Sequence, residues 1–240
     1  MKRILTVGAV AVLGAGVLGC GVVNQVKQAV DNVSAITDLA DRLGKSSQLT
    51  FTAEYKTDDG TTTTVVQQPP KAAYLGKDGR FILTEDALYS CTGPANKVVC
   101  QKSPVQTGSL SAADQSAYLS AVAGGGFIST EMALGLMTAA AVVPGVKIAQ
   151  NTATIAGQKS DCLDVTGIPR DNDPNAVTAK EFHVCVAENG LLTRFKGVGT
   201  DDKALGVELT KFSGDVDPKA FVPPKGAKIV EASSPPGTGK

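Results

Sequence analysis

The 240-residue chain has no tryptophan, a single histidine and only 5% aromatic residues. With His183 as the lone imidazole and no Gly-x-Ser-x-Gly run anywhere, the parts of a hydrolytic triad are missing. Charge bias is missing too: 23 basic and 23 acidic residues cancel, and no clustered basic face offers itself to a nucleic acid. There is no Cys-x-x-Cys pair. The carboxylate pairs Asp58-Asp59, Asp171-Asn172-Asp173 and Asp201-Asp202 fall in turn-like segments, without calcium-loop spacing or a supporting glutamate. These absences lead us to expect no enzyme activity, no cofactor, no metal and no nucleic-acid partner.

What is present begins at the first residues. Lys2 and Arg3 precede a stretch from Ile4 to Gly19 that carries no charge and is broken by glycines, the layout of a secretory leader. It closes on Val17-Leu18-Gly19-Cys20, which resembles a lipobox, where the chain is cut and Cys20 receives lipid. Residues 1–19 are therefore expected to be a signal peptide and Cys20 a membrane anchor on the extracytoplasmic face. The competing reading is an uncleaved transmembrane segment with Cys20 idle. Loss of Lys2 and Arg3 leaves the remainder slightly acidic. That remainder suffices for one core, so a single domain is expected over residues 20–231, followed by a disordered tail at 232–240 around Ser233-Ser234-Pro235-Pro236-Gly237.

With Cys20 assigned to lipid, Cys91, Cys100, Cys162 and Cys185 form an even set in an exported chain, which reads as two disulfides. Cys91 and Cys100 bracket a turn-like Thr92-Gly93-Pro94-Ala95-Asn96 between strand-like runs. This favours their pairing, and Cys162 with Cys185 follows. A metal site is the rival, with His183-x-Cys185 as its only mixed pair.

Apolar residues at Val26, Val30, Val33, Ile36, Ala40 and Leu43 predict an amphipathic helix ending at Gly44. The period then changes to two. Leu49, Phe51, Ala53 and Tyr55 alternate with polar residues, Asp58-Asp59-Gly60 turns the chain, and short strand-like runs continue to Gln101. Ser111 to Val122 predicts a helix, and about Glu131 to Val143 predicts a second, apolar on nearly all sides and too short to cross a membrane. Strands return at residues 146–155, 162–166, 181–187, 191–195 and 207–212.

The closing Asp217-Pro218-Lys219-Ala220-Phe221-Val222-Pro223-Pro224-Lys225-Gly226-Ala227 resembles the C-terminal signature of LolA-like lipoprotein carriers. The order of helix, strands, helical insert and strands is also similar to that superfamily and its actinobacterial LppX and LprG-type members. The resemblance covers most of residues 24–231, although the type carrier is not built around two disulfides. It implies an α+β fold, a half-open antiparallel β-barrel wrapped around a few helices, with an apolar cavity for acyl chains. Candidate lining residues are Phe51, Tyr55, Phe81, Met132, Leu136, Met137, Phe182 and Phe195, for each of which plain core packing is the competing reading. The expected partners are a lipid or other acyl-chain ligand, the membrane through Cys20, and an envelope transport protein, with the chain itself a monomer. An envelope accessory protein with a self-filled interior is the alternative.

Overall fold

A computed structural model describes residues 33–77, 79–94, 96–105, 127–141, 143, 145–168, 179–199, 202 and 204–231. The predicted signal peptide, Cys20, the helix over Ser111 to Val122 and the tail lie outside the described residues.

Helix α1 covers residues 33–44 and runs into a 3-10 turn at Lys45–Gln48. Its buried residues Ile36, Leu39, Ala40 and Leu43 fall three or four apart, the stripe by which a helix lies on a core. After it, β1 (Phe51–Thr57), β2 (Thr62–Gln68), β3 (Lys71–Leu75), β4 (Gly79–Leu83), β5 (Ala87–Thr92) and β6 (Val99–Pro104) form a meander. Helix α2 (Thr130–Ala141) belongs to the connection that crosses to the far edge. From there β7 (Lys147–Ile155), β8 (Gln158–Thr166), β9 (Ala179–Ala187), β10 (Leu192–Gly199) and β11 (Ala204–Ser213) return towards the middle. The two meanders meet where β1 pairs antiparallel with β11. β12 (Lys228–Glu231) then adds to β6 in parallel.

The result is one continuous twelve-stranded mixed sheet with β12 and β7 at its edges. This corrects the expected half-open antiparallel barrel wrapped around helices: the sheet does not close, it dominates the fold, and the described helices are short. The edge strands give closure little to gain. β12 is four residues long and exposed throughout, and β7 leaves Gln150, Asn151, Thr152 and Thr154 in solvent. Short or polar edges of this kind discourage further pairing.

Alternation along each strand separates two faces. One carries Phe51, Ala53, Tyr55, Val65, Leu163, Val165, Phe182, Val184, Phe195, Val207 and Leu209, packed with Ala133, Leu136, Met137 and Ala140 of α2 and with the α1 stripe. The other holds a smaller cluster of Val66, Ala73, Ile82, Ala220 and Phe221. Phe221 comes from the C-terminal signature. A 3-10 turn at Pro218–Phe221, capped by Asp217 accepting from the Lys219 N–H at 2.9 Å, presses it there. At the other end of the sheet, Gly190 has φ +93° in the β9–β10 turn. A Cβ there would lie 2.4 Å from the Arg42 carbonyl oxygen, so glycine permits both the turn and the approach of α1.

Candidate functional site

The eight candidate lining residues divide into three groups. Phe51, Tyr55, Leu136, Met137, Phe182 and Phe195 are buried in the main core at 5% exposure or less. Phe182 stacks on Phe195 with centroids 5.6 Å apart, and Phe51 stacks on Phe212 at 6.3 Å. Met132 is half-buried against that core. Phe81 packs with Leu88 and lines an opening.

Phe81 belongs to a row of rings that runs from the core to this opening. Tyr55 meets Phe127 edge-on at 6.3 Å, Phe127 meets Tyr74 at 6.2 Å, and Tyr74 meets Phe81 at 6.1 Å. Such edge-to-face contacts suit aromatic quadrupoles. Tyr55 donates to the Leu192 carbonyl at 2.8 Å, and burial pushes its phenol well above the usual range. Burial raises Tyr74 as well, helped by the Glu131 carboxylate and Tyr55.

The cleft at the end of the row has a volume of about 160 Å³ and a floor of Tyr74, Phe81, Leu83, Ala72 and the Pro69-Pro70 pair. Ser47, Gln67, Lys71 and Glu131 supply its polar lining. Gln67 fixes one wall by donating to the Ser46 and Leu49 carbonyls at 2.6 and 2.9 Å, which ties the 3-10 turn to β2. Ser129 accepts from the Met132 N–H at 3.2 Å at the start of α2, the helix that brings Glu131 to the lining. Small-molecule sites commonly measure about 300–1,000 Å³, so this cleft is small for a ligand site.

Sequence reasoning found Phe81 but missed Tyr74 and Phe127. Tyr74 lies in a five-residue strand, and Phe127 sits just after Gly124-Gly125-Gly126, where no periodicity marks a residue as interior. A larger cleft of about 590 Å³ between α1 and the β7–β8 edge is charged, with Asp38, Asp41, Arg42, Lys45 and Asp161 among its lining. Arg42 and Asp161 pair across it at 2.8 Å.

Both cysteine pairs are joined, Cys91 to Cys100 and Cys162 to Cys185, at positions directly opposed in their strand pairs. His183 is not an isolated strand residue. Its Nδ1 lies 2.6 Å from Asp164 Oδ1 and its Nε2 lies 3.0 Å from Cys185 Sγ. Among the described residues no helix is long and apolar enough to cross a membrane.

No family model matches the chain, and no curated protein does. The chain is similar to the solved structure of an uncharacterized conserved protein from Thermus thermophilus, at 10% identity and a TM-score of 0.46, over 82% of this chain and 99% of that one.

Proposed function

We propose that the protein is a membrane-anchored lipoprotein of the cell envelope that binds or transfers an acyl-chain lipid or lipoprotein ligand, without catalysing a reaction. The observation that carries this reading is the aromatic row ending in the apolar cleft of Tyr74, Phe81 and Leu83. Each methylene moved from water into such a site contributes about 0.8 kcal/mol, so one alkyl segment gains several kcal/mol without any polar contact. The polar lining then meets the headgroup end. Further support comes from the lipobox-like end at Cys20, from disulfides of the kind exported proteins keep, and from the resemblance of the Phe221-Val222-Pro223-Pro224-Lys225-Gly226 segment to LolA-like carriers.

Native mass spectrometry of protein purified from membranes without denaturant tests the reading: the expected result is an added mass that fragments to fatty acyl chains. Leu83→Trp, which fills the cleft, should weaken uptake of a fluorescent fatty acid about tenfold and leave the circular dichroism unchanged. Clean apo masses under several extraction conditions, with probe uptake indifferent to Leu83→Trp, would overturn it. Those outcomes would favour an envelope accessory protein that engages another protein through its surface. The burial of seven of the eight candidate lining side chains at 5% exposure or less speaks for that second reading, because they fill the interior themselves.

A further inference from the structure

The Cys162–Cys185 bridge has neighbours that a covalent staple does not need. Alternation turns Leu163, Val165, Phe182 and Val184 towards the helices, and so turns Cys162, Asp164, His183 and Cys185 to the opposite face. There Cys162 opposes Cys185 and Asp164 opposes His183. Asn151 on β7 donates from Nδ2 to Asp164 Oδ2 at 2.7 Å, and the other carboxylate oxygen lies 2.6 Å from His183 Nδ1. A carboxylate only accepts, so Nδ1 carries a proton. In the neutral ring this aims the Nε2 lone pair at Cys185 Sγ, 3.0 Å away. The two sulfurs and a ring nitrogen lie within 4.8 Å of one another, and among the described residues they are the one group of three or more such donors.

We propose that reduction of this bridge creates a site for a soft divalent ion of the zinc class, held by Cys162 Sγ, Cys185 Sγ and His183 Nε2. A dithiol supplies the two electrons and two protons and is itself oxidised to a disulfide, whereas a phosphine supplies the two electrons and becomes a phosphine oxide while water provides its oxygen and both protons; either converts the bridge to two thiols. The ion then displaces both thiol protons and is bound by two thiolates and the neutral imidazole. Zinc bonds of about 2.3 Å to sulfur and about 2.0 Å to nitrogen in a tetrahedron require the sulfurs to part to about 3.8 Å. Asp164 would act behind the metal, since a carboxylate on the far nitrogen of a ligating histidine fixes its tautomer and raises its basicity. Asn151 in turn holds Asp164. The cations opposite on β10, Arg194 facing Cys185 and Lys196 facing His183, are occupied by Glu208 at 2.9 and 3.6 Å. One position on the ion is left for water or a further ligand.

Cobalt(II) is the probe. The full chain carrying Cys91→Ser and Cys100→Ser is reduced anaerobically with a phosphine and titrated with cobalt. The expected result is one equivalent bound, with thiolate-to-cobalt charge-transfer absorption that zinc abolishes. Cys185→Ser should remove that absorption, His183→Ala should weaken binding at least tenfold, and Asp164→Asn should weaken it about 10–100-fold at unchanged stoichiometry. If reduction unfolds the chain, zinc must restore its circular dichroism. Free thiols at 162 and 185 without cobalt absorption, absorption indifferent to His183→Ala, or a reduced chain that zinc does not refold would each overturn the proposal.

Discussion

Cys91–Cys100 and Cys162–Cys185 each join directly opposed residues of antiparallel neighbours, one in each meander of the sheet. The first closes a hairpin whose cysteines are 9 residues apart, in the half where β3 and β4 carry the small outer core around Phe221. The second spans 23 residues and adjoins an ordered polar relay, Asn151 to Asp164 to His183. One covalent device thus sits in two settings, and the second adjoins this relay. The helix-facing sides differ in parallel. In the β8–β11 half, Phe182, Val184 and Phe195 form a closed interior, whereas in the β2–β4 half Tyr74 and Phe81 lead to an opening.

The largest effect expected from this contrast is in the core. Phe195→Ala removes a ring with 0% exposure that stacks on Phe182 and should cost about 4 kcal/mol in chemical denaturation. Phe81→Ala, at the rim of the cleft, should cost about 3 kcal/mol or less, because an opening already adjoins it, while reducing acyl-probe uptake more than Phe195→Ala does. Equal costs and equal uptake would erase the distinction between the two halves. Next come the bridges. Chain-entropy reasoning gives about 3.4 kcal/mol for the Cys162–Cys185 loop and about 2.7 kcal/mol for Cys91–Cys100, so paired Cys→Ala variants measured side by side should rank in that order.

Much of this division is legible in the order of the residues alone. The runs at Phe51, Thr62, Ala72, Phe81 and Ala87 become strands because β-branched and aromatic residues alternate with polar ones between turn formers. The cysteines pair as the turn between Cys91 and Cys100 suggests. What alternation does not encode is which strands meet across the molecule. The pairing of β1 with β11 and the parallel addition of β12 depend on contacts far apart in sequence. The open sheet is illegible for the same reason, since edge polarity in β7 has meaning only once its neighbours are known. The relay at His183 is hidden in a related way. Asp164 lies 19 positions away, and only the β8–β9 register makes it a neighbour. Tyr74 and Phe127 likewise become one ring row through tertiary contact alone.

Electrostatics separate the halves more gently. Burial opposes ionisation of Glu208, but the Arg194 hydrogen bond and the charges of Arg194 and Lys196 outweigh it and hold the carboxyl below its ordinary range. A lowered folded value means that the stabilisation is present above the ordinary carboxylate pKa and is lost as pH falls through the folded one. The melting-temperature gap between wild type and Glu208→Gln should therefore be full at neutral pH, shrink once pH falls below the ordinary glutamate pKa of about 4.3, and close only after the lower folded value is passed. In the other half, the Glu231 hydrogen bond and charge raise Lys102. That contribution is present below the ordinary lysine pKa and fades only at more alkaline pH, as pH rises through the folded value. Both residues of that pair face solvent, so Lys102→Met should change stability little.

One matched pair of substitutions should differ in sign between the halves. Thr63 and Thr193 are both buried threonines with 0% exposure. In β10, the Thr193 hydroxyl donates to the Cys185 carbonyl at 3.1 Å and lies 2.8 Å from the Ser160 hydroxyl. In β2, among the described residues, Thr63 Oγ1 is the buried side-chain polar atom without a hydrogen-bond partner. Valine has nearly the shape of threonine, so each Thr→Val change removes the hydroxyl and little else. A satisfied hydroxyl contributes about 1 kcal/mol, and an unsatisfied buried one costs about as much or more. Thr193→Val should therefore lower the unfolding free energy by about 1 kcal/mol, and Thr63→Val should raise it by a similar amount. Because Thr63 opposes Tyr55 across the β1–β2 pair, on the face where the aromatic row begins, a loss on Thr63→Val would reveal a polar partner at the inner end of that row. Acyl-probe uptake by the same variant then tells whether that partner is a bound ligand or part of the fold.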